Sequence, residues 1–221
     1  MRSSSDSEMF KMMREKLYSS VISDVLDRMG FKDQAMEAEV RPLFPEAVAV
    51  GRALTVLSVD VYHEPKEPYL LEIESVDSLK PNDVLVASTN KSKRTCFWGE
   101  LLSTAAKARG ASGAVIDGYT RDVKRIVEMG FPVFARGAKP VNSYGRSLVI
   151  NYNVPVECGG VLVGPGEIVF GDIDGVVVIP RAVESQVIEK ALEKVKGEDK
   201  TREELKKGAY LRDVYEKYHV L

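Results

Sequence analysis

The spacing of apolar residues divides the chain into three stretches. Near the start, apolar residues between Met9 and Leu26 recur mostly three or four positions apart, which predicts one amphipathic helix ending at Gly30. Between residues 47 and 135, short apolar runs alternate with segments of helical spacing. Between residues 148 and 179, five short apolar runs are separated by turns that contain glycine. This pattern predicts an α/β protein.

The middle stretch predicts a parallel sheet. Three apolar runs are predicted as strands and two segments between them as helices: 84–87, 101–108, 115–116, 123–129 and 132–135. This strand-helix-strand order favours parallel strands joined by right-handed crossovers. Upstream, Gly51 is expected to separate two strands at 47–50 and 53–61. The segment 70–73 fits either a short helix or a strand.

The last stretch predicts short strands followed by charged helix. The predicted strands are 148–150, 154–156, 161–163, 168–170 and 176–179. Glycines between them are typical of tight hairpins or barrel corners. From residue 182 onward, helical spacing and many charges predict an amphipathic helical end. We therefore expect an N-terminal helical arm at 1–30, a core at 31–181 and a C-terminal helical extension at 182–221.

Composition narrows the class of protein. The 221 residues are 44% hydrophobic and 29% charged, which is typical of one large globular domain with terminal arms. The net charge of -2 and the absence of a long basic run argue against nucleic acid as a partner. No apolar run approaches the length of a membrane span, and the polar N-terminus has no hydrophobic signal core. We expect a cytoplasmic protein.

Cysteine usage agrees with a reducing compartment. Cys96 and Cys158 are the two cysteines of the sequence, and neither belongs to a CxxC motif or a Cys/His cluster. Free, reduced thiols are therefore expected, and a zinc site is not.

Candidate chemistry begins at residues 99–102, where Gly99, Glu100, Leu101 and Leu102 open a predicted helix. The first N–H groups of a helix have no partner within it, and the helix carries partial positive charge at that end. Glycine lets a ligand approach the backbone closely, so a carboxylate or phosphate would bind well there. Taken alone, an ordinary helix start explains the same residues.

The second candidate is the adjacent pair Arg121 and Asp122 at the end of a predicted strand. Ligands of α/β proteins bind outside the carboxyl ends of such strands. Arginine binds carboxylate or carbonyl oxygens with two parallel donors, and aspartate is an oxygen ligand suited to Mg²⁺ or Mn²⁺. The alternative is that Asp122 caps the helix at 123–129. Asp117, just upstream, fits a turn-former as well as a ligand.

Taken together, these segments resemble the RraA-like family, which includes class II 4-hydroxy-4-methyl-2-oxoglutarate aldolases and regulators of ribonuclease E activity. The resembling segments, within about 47–180, are GELL at 99–102, ASGAVIDGYTRD at 111–122, FPVFARG at 131–137, GPG at 164–166 and GDIDGVVVIP at 171–180. The resemblance implies a β/β/α swivelling-domain fold assembled as a homotrimer or homohexamer, with the active site between subunits. Aldolase members carry an acidic residue, twenty residues, then Arg-Asp; here Glu100 stands where Asp is typical.

The resemblance implies a divalent-metal-dependent carbon-carbon lyase that releases pyruvate from a 4-hydroxy-2-oxo acid. Asp122 would hold Mg²⁺ or Mn²⁺, Arg121 would bind the keto oxygen, and the N–H groups of 99–102 would bind the carboxylate. Glu100 would orient or deprotonate a water that protonates the enolate. Oxaloacetate decarboxylation is an expected second activity, because it produces the same enolate.

The base for the 4-hydroxyl is left open by the sequence. Glu198, Glu203 and Glu204 are candidates from the C-terminal helix, although each also fits a surface charge. A Schiff base on Lys124 is disfavoured, because a reactive lysine needs burial.

The alternative to a lyase is a non-catalytic regulator that binds a ribonuclease or another protein. A menaquinone methyltransferase is disfavoured because no nucleotide-binding glycine-rich loop follows a first strand.

Overall fold

A computed structural model describes residues 4–219 and contains seven α-helices and eleven strands in that range. The helices are α1 (Ser4–Lys16), α2 (Ser19–Arg28), α3 (Leu70–Asp77), α4 (Glu100–Ala108), α5 (Val123–Met129), α6 (Glu184–Lys206) and α7 (Leu211–Tyr218). The strands are β1 (Arg41–Pro42), β2 (Ala49–Asp60), β3 (Asp83–Ser88), β4 (Cys96–Trp98), β5 (Gly113–Thr120), β6 (Val133–Ala138), β7 (Ser147–Tyr152), β8 (Val156–Cys158), β9 (Val161–Val163), β10 (Ile168–Asp172) and β11 (Gly175–Ile179). The predicted α/β class, with helices at both ends, is confirmed.

The centre of the fold is a nine-stranded sheet in which the order of hydrogen-bonded neighbours is β1-β6-β5-β3-β2-β10-β11. Strands β2, β3, β5 and β6 run parallel, as the alternation of strands and helices predicts. Every residue of β3 is buried, which agrees with a continuous apolar strand covered on both faces. Strands β7 and β10 both pair antiparallel with β2, and β4 pairs with β5 outside the linear order. Strands β8 and β9 form a separate two-stranded sheet.

The predicted interruption of the second strand at Gly51 is wrong. Strand β2 runs unbroken through this glycine. A Cβ atom at Gly51 would lie 2.0 Å from the carbonyl oxygen of Asn82. The glycine therefore permits close backbone approach to the turn before β3, and it does not end a strand.

The predicted single N-terminal helix is two helices, α1 and α2. The break falls at Leu17 and Tyr18, and the start of α2 is held from outside by Asp172. The Asp172 carboxylate accepts hydrogen bonds from the Ser19 N–H at 2.7 Å and from the Ser19 hydroxyl at 2.6 Å. A buried carboxylate thus caps the second helix, and apolar spacing alone carries no signal of that long-range contact.

Helices from both ends of the chain pack on the same face of the sheet. Apolar side chains of α1, α2 and α6 form one core cluster with Ile168, Phe170 and Ile179 of the β10–β11 hairpin. Arg52 on β2 forms ion pairs with Asp6 of α1 and Glu184 of α6, which joins the two ends. Within residues 4–219, no helix is long and apolar enough to span a bilayer.

Candidate active site

A parallel strand-helix-strand unit brings the two candidate segments together. Strand β4 lies beside the end of β5, with Trp98 opposite Thr120, and α4 forms the crossover between them. Because both strands are parallel, their carboxyl ends meet at one edge of the sheet, and the residues that follow each strand become neighbours. Glu100 and Asp122 are 22 positions apart in the chain, yet the Glu100 N–H lies 3.3 Å from Asp122 Oδ2.

Strand β4 was absent from the sequence prediction, because three residues are too short for a periodicity signal. Side-chain hydrogen bonds fix its end. The Trp98 indole N–H donates to the Ser103 hydroxyl at 2.8 Å, and that hydroxyl donates to the Gly99 carbonyl at 3.0 Å. The Arg121 N–H donates to the Trp98 carbonyl at 3.0 Å. The start of α4 and the Arg-Asp pair are therefore held in one backbone frame.

Asp122 stands at the N-cap position of α5, as the alternative for this residue expects, but its side chain contacts the start of α4. It makes no side-chain hydrogen bond to the helix that it precedes. Its carboxylate faces the start of α4, where Oδ2 also lies 3.4 Å from Arg121 Nε. The Asp122 backbone is left-handed at φ 59°, a conformation in which a non-glycine residue is uncommon. Such local strain is concentrated at functional sites.

The start of α4 keeps unused hydrogen-bond donors. The Glu100 N–H is committed to Asp122, whereas the N–H groups of Leu101 and Leu102 have no acceptor in the part of the chain that the structure describes. A Cβ atom at Gly99 would lie 2.9 Å from Asp122 Oδ2, so glycine gives the carboxylate its place. The predicted anion-binding helix start thus has two free donors, not a full set.

All six predicted site residues line one cavity of about 460 Å³. Other lining residues come from α3, β4, the start of α5 and the loop after β6: Tyr69, Glu72, Cys96, Phe97, Trp98, Arg125, Asn142 and Ser143. The cavity is of the size that holds small ligands. Arg121 and Asp122 also line a second depression of about 320 Å³ on their other side, beside Lys139 and Pro140. The pair therefore stands between two open volumes.

Glu72 is one of the eight cavity residues that the sequence did not predict, and it is the buried carboxylate among them. It lies on α3, whose exposure is inverted: Glu72 is 9% exposed, whereas Leu70 and Ile73 are 46% and 53% exposed. Burial raises the pKa of Glu72 to about 7, and the positive charge of Arg121 opposes that rise. The sequence contains no signal for its burial, because a glutamate without a nearby partner is expected to be exposed.

The raised pKa of Glu72 predicts a pH-dependent stability. The unfolded chain loses this proton near pH 4.5 and the folded chain near pH 7, so the folded state holds more protons between those values. Unfolding free energy should therefore fall as pH rises through this window, by roughly 3 kcal/mol from this residue. Urea unfolding of wild type and Glu72→Gln at pH 5 and pH 8 measures this change in unfolding free energy, because the variant has no carboxyl group to titrate at position 72.

Glu74→Gln is the matched control for that measurement, since Glu74 is an exposed carboxylate on the same helix. It should keep the wild-type pH dependence. Equal pH dependence in wild type and Glu72→Gln would contradict the expected titration.

The donor set fits a divalent cation held by few protein ligands. Residues 4–219 contain no group of three or more His, Cys, Asp or Glu side chains placed to hold a metal ion. Asp122 offers one oxygen, Oδ1, without a hydrogen bond in the described residues, and its side chain is 41% exposed. Mg²⁺ usually keeps several waters and takes one or two carboxylates plus ligand oxygens. Asp122 is the residue that fits this role.

Other polar candidates belong to the scaffold. Asp117 lies inside β5 and not in a turn; it is buried, and it accepts hydrogen bonds from the Thr89 N–H and hydroxyl at 2.6 and 2.9 Å. Burial raises the pKa of the Cys96 thiol, whose Sγ donates to the Lys139 carbonyl. Both cysteines are buried and free. Neither Asp117 nor Cys158 faces the cavity.

The three C-terminal glutamates considered as bases are absent from the cavity wall of this chain. Glu198 lies 3.1 Å from Lys194 and bonds to Tyr18, and Glu204 lies 2.6 Å from Lys217. Glu203 forms an exposed ion pair with Lys206. Within one chain, their contacts are those of surface and inter-helix ion pairs.

Comparison with known proteins assigns this fold and cavity to one protein family. A family model described as RraA-like, Aldolase/RraA, matches residues 19–178. The chain belongs to the RraA-like family. A protein of Halalkalibacterium halodurans, provisionally named 4-hydroxy-4-methyl-2-oxoglutarate aldolase, is 31% identical over 185 residues, which is 84% of this chain and 82% of that protein.

Two further relatives mark the breadth of the family. An uncharacterised protein of Methanocaldococcus jannaschii, MJ0644, is 45% identical over 121 residues, or 54% of this chain and 57% of its own. The crystal structure of Streptomyces coelicolor RraAS2, described as an unusual member of the RNase ES inhibitor RraA protein family, superposes with a TM-score of 0.79. It is 27% identical and covers 89% of this chain and 96% of its own. The expected RraA-like fold is therefore confirmed.

Proposed function

We propose that this protein is a divalent-metal-dependent lyase that cleaves 4-hydroxy-2-oxo acids, such as 4-hydroxy-4-methyl-2-oxoglutarate, to pyruvate. The observation that carries the proposal is the contact between the two candidate segments inside the cavity. Asp122 and Arg121 face a glycine-led helix start that keeps free N–H donors, and Glu100 follows directly. The provisional aldolase name of the Halalkalibacterium halodurans relative supports the same substrate class.

The substrate's own charges match the cavity. Its 1-carboxylate would accept hydrogen bonds from the free N–H groups of Leu101 and Leu102, with the partial positive charge of α4 behind them. Its 2-keto oxygen would face the Arg121 guanidinium, which is 40% exposed and open to the cavity. Asp122 holds Arg121 beside the helix start, so the guanidinium is positioned before substrate binds.

Cleavage of the bond between C3 and C4 leaves negative charge on the former keto oxygen. Arg121 would stabilise that charge with fixed donors, which is the most effective form of electrostatic catalysis. Asp122 would hold Mg²⁺ or Mn²⁺, which supplies Lewis-acid stabilisation of the same oxygen when bound. Glu100 would orient a water that gives its proton to C3 of the pyruvate enolate. Its carboxylate already accepts a hydrogen bond from the Thr104 hydroxyl at 2.9 Å.

The same arrangement would decarboxylate oxaloacetate, because loss of carbon dioxide from that acid leaves the same enolate. We also propose a homotrimer or homohexamer with the site between subunits. Leu101 is 75% exposed at the cavity rim, and Leu70 and Ile73 add exposed apolar surface on neighbouring α3. Apolar surface of this kind marks interaction sites.

The second candidate is a regulator that binds a ribonuclease or another protein. The observation in its favour is the likeness to RraAS2, which is described within an RNase inhibitor family. An acidic residue at 100 together with Arg121 and Asp122 favours the enzyme, since a binding surface has no need of this constellation.

The test is pyruvate release from 4-hydroxy-4-methyl-2-oxoglutarate and from oxaloacetate, with Mg²⁺, with Mn²⁺ and after chelation. Turnover with either ion and its loss after chelation are expected, with recovery when the ion is returned. No metal-dependent turnover of either acid would overturn the lyase and leave the regulator.

A further inference from the structure

We propose that Glu72 is the general base that takes the proton of the substrate's 4-hydroxyl group, an assignment that rests on the proposed lyase function. Its side chain lines the same cavity as Arg121 and the start of α4. Within residues 6–219 the Glu72 carboxylate makes no hydrogen bond or ion pair, and the positive charge of Arg121 acts on it through space. The cavity therefore contains a largely buried carboxylate that is not committed to a hydrogen bond and can accept a proton.

Helix α3 buries a charged side chain, Glu72, and exposes two apolar ones, which is the reverse of the usual arrangement on a surface helix. Helix α3 packs against α4 and β7, and it turns Glu72 inward while Leu70 and Ile73 face outward. Burying a carboxylate without a partner is unfavourable, and departures from local rules are expected at functional sites. The fold would be more stable if Glu72 faced solvent. We therefore attribute its inward orientation to a role in the cavity.

Six charged or titratable side chains share the cavity with it: Tyr69, Cys96, Glu100, Arg121, Asp122 and Arg125. Tyr152 on β7 packs in the cluster beneath α3. Burial raises the pKa of Glu72 to about 7 against the opposing charge of Arg121. A base with a pKa near neutral pH is suited to proton transfer. Glu100 and Asp122 have other assigned tasks at the helix start, which leaves Glu72 for the hydroxyl.

The step balances as follows. Glu72 takes the proton of the 4-hydroxyl, and the electron pair of that O–H bond forms the carbonyl at C4. The pair of the C3–C4 bond moves into a C2–C3 double bond, and the π pair of the C2 carbonyl moves onto its oxygen beside Arg121, which gives the pyruvate enolate. C3 then takes a proton from the water beside Glu100. The proton on Glu72 leaves through solvent and neutralises the hydroxide that remains, so no proton is gained or lost overall.

Oxaloacetate separates this role from the rest of the machinery, because its decarboxylation has no hydroxyl proton to remove. Glu72→Gln should lower kcat/KM for 4-hydroxy-4-methyl-2-oxoglutarate by about 100-fold, the usual contribution of a general base. The fall should be at least about ten times smaller for oxaloacetate, which lacks this step. The acidic limb of the pH profile, expected near pH 7 for the hydroxy acid, should disappear in the variant.

Each outcome decides one assignment. Glu74→Gln, on the exposed side of α3, should match wild type for both acids. Equal losses for both acids in Glu72→Gln, or no loss for either, would overturn the role of Glu72 and leave the lyase standing. A wild type inactive on both acids would overturn the lyase itself. If Glu72→Gln does not fold, Glu72→Asp replaces it: the shorter carboxylate should keep the acidic limb at reduced rate, and a lost limb would count against the assignment.

Discussion

Asp122→Asn should nearly abolish metal-dependent pyruvate formation. The variant keeps the shape of the side chain and loses its charge, and asparagine tolerates the left-handed backbone found at this position. Loss of the carboxylate removes the side chain that we propose as the cation ligand and weakens the anchor of Arg121, 3.4 Å away. We expect kcat/KM to fall on the order of 10³-fold for both 4-hydroxy-4-methyl-2-oxoglutarate and oxaloacetate.

Steady-state assays over a range of Mg²⁺ concentrations measure this effect. A loss of cation binding should appear as a large rise in the concentration that gives half-maximal rate. Glu128→Gln is the matched control, since Glu128 is an exposed carboxylate on α5, outside the cavity, that pairs with Lys124. Wild-type activity and Mg²⁺ dependence in Asp122→Asn would remove the basis of the metal assignment.

Arg121→Lys should lower kcat by about 10²- to 10³-fold while the positive charge is kept. Arginine presents a planar, fixed set of donors, whereas lysine is a flexible point charge, so the change tests geometry rather than charge. The effect should fall on kcat more than on KM, because the enolate oxygen carries full charge only after the bond breaks. Assays with both acids should show it equally, since both form the same enolate.

Arg121→Met tests the electrostatic effect of Arg121 on Glu72 through the pH profile of the aldol reaction. Removing the positive charge removes the interaction that lowers the pKa of Glu72, so the acidic limb of the aldol pH profile should move to higher pH. Arg121→Lys should leave that limb near its wild-type position. Arg109→Lys, at an exposed ion pair with Asp77 outside the cavity, is the control. Unchanged kcat in Arg121→Lys would mean that the guanidinium geometry has no part in the reaction.

The sequence and the structure contribute differently to these predictions. The alternation of apolar runs with helical spacing was enough to predict the parallel core, helices α4 and α5, and the glycine that ends α5 in a left-handed conformation. These features are encoded locally, because side-chain periodicity and helix-ending glycines act within a few residues. The spacing from Glu100 to Arg121 and Asp122 corresponds to one crossover helix and one strand, so the sequence alone also predicts it.

Two features of the site, and one of the N-terminal helices, depended on contacts between distant residues. Strand β4 is defined by its pairing with β5 and has no periodicity of its own. By its position in the chain the Asp122 side chain could cap the helix that follows it, but the approach of α4 at Gly99 brings it into contact with the start of that distant helix. The same kind of contact, from Asp172 to Ser19, divides the N-terminal helix in two.

By itself, the sequence determined the fold class, the parallel direction of the core strands and the two segments that form the candidate site. Only the tertiary structure decided which carboxylate enters the cavity with them. Three apolar neighbours around Glu72 favour a face on which this glutamate would be exposed, and the packing of α3 on α4 and β7 reverses it. Burial is a property of the whole assembly of elements, and for that reason a side chain's environment cannot be derived from its neighbours in the chain.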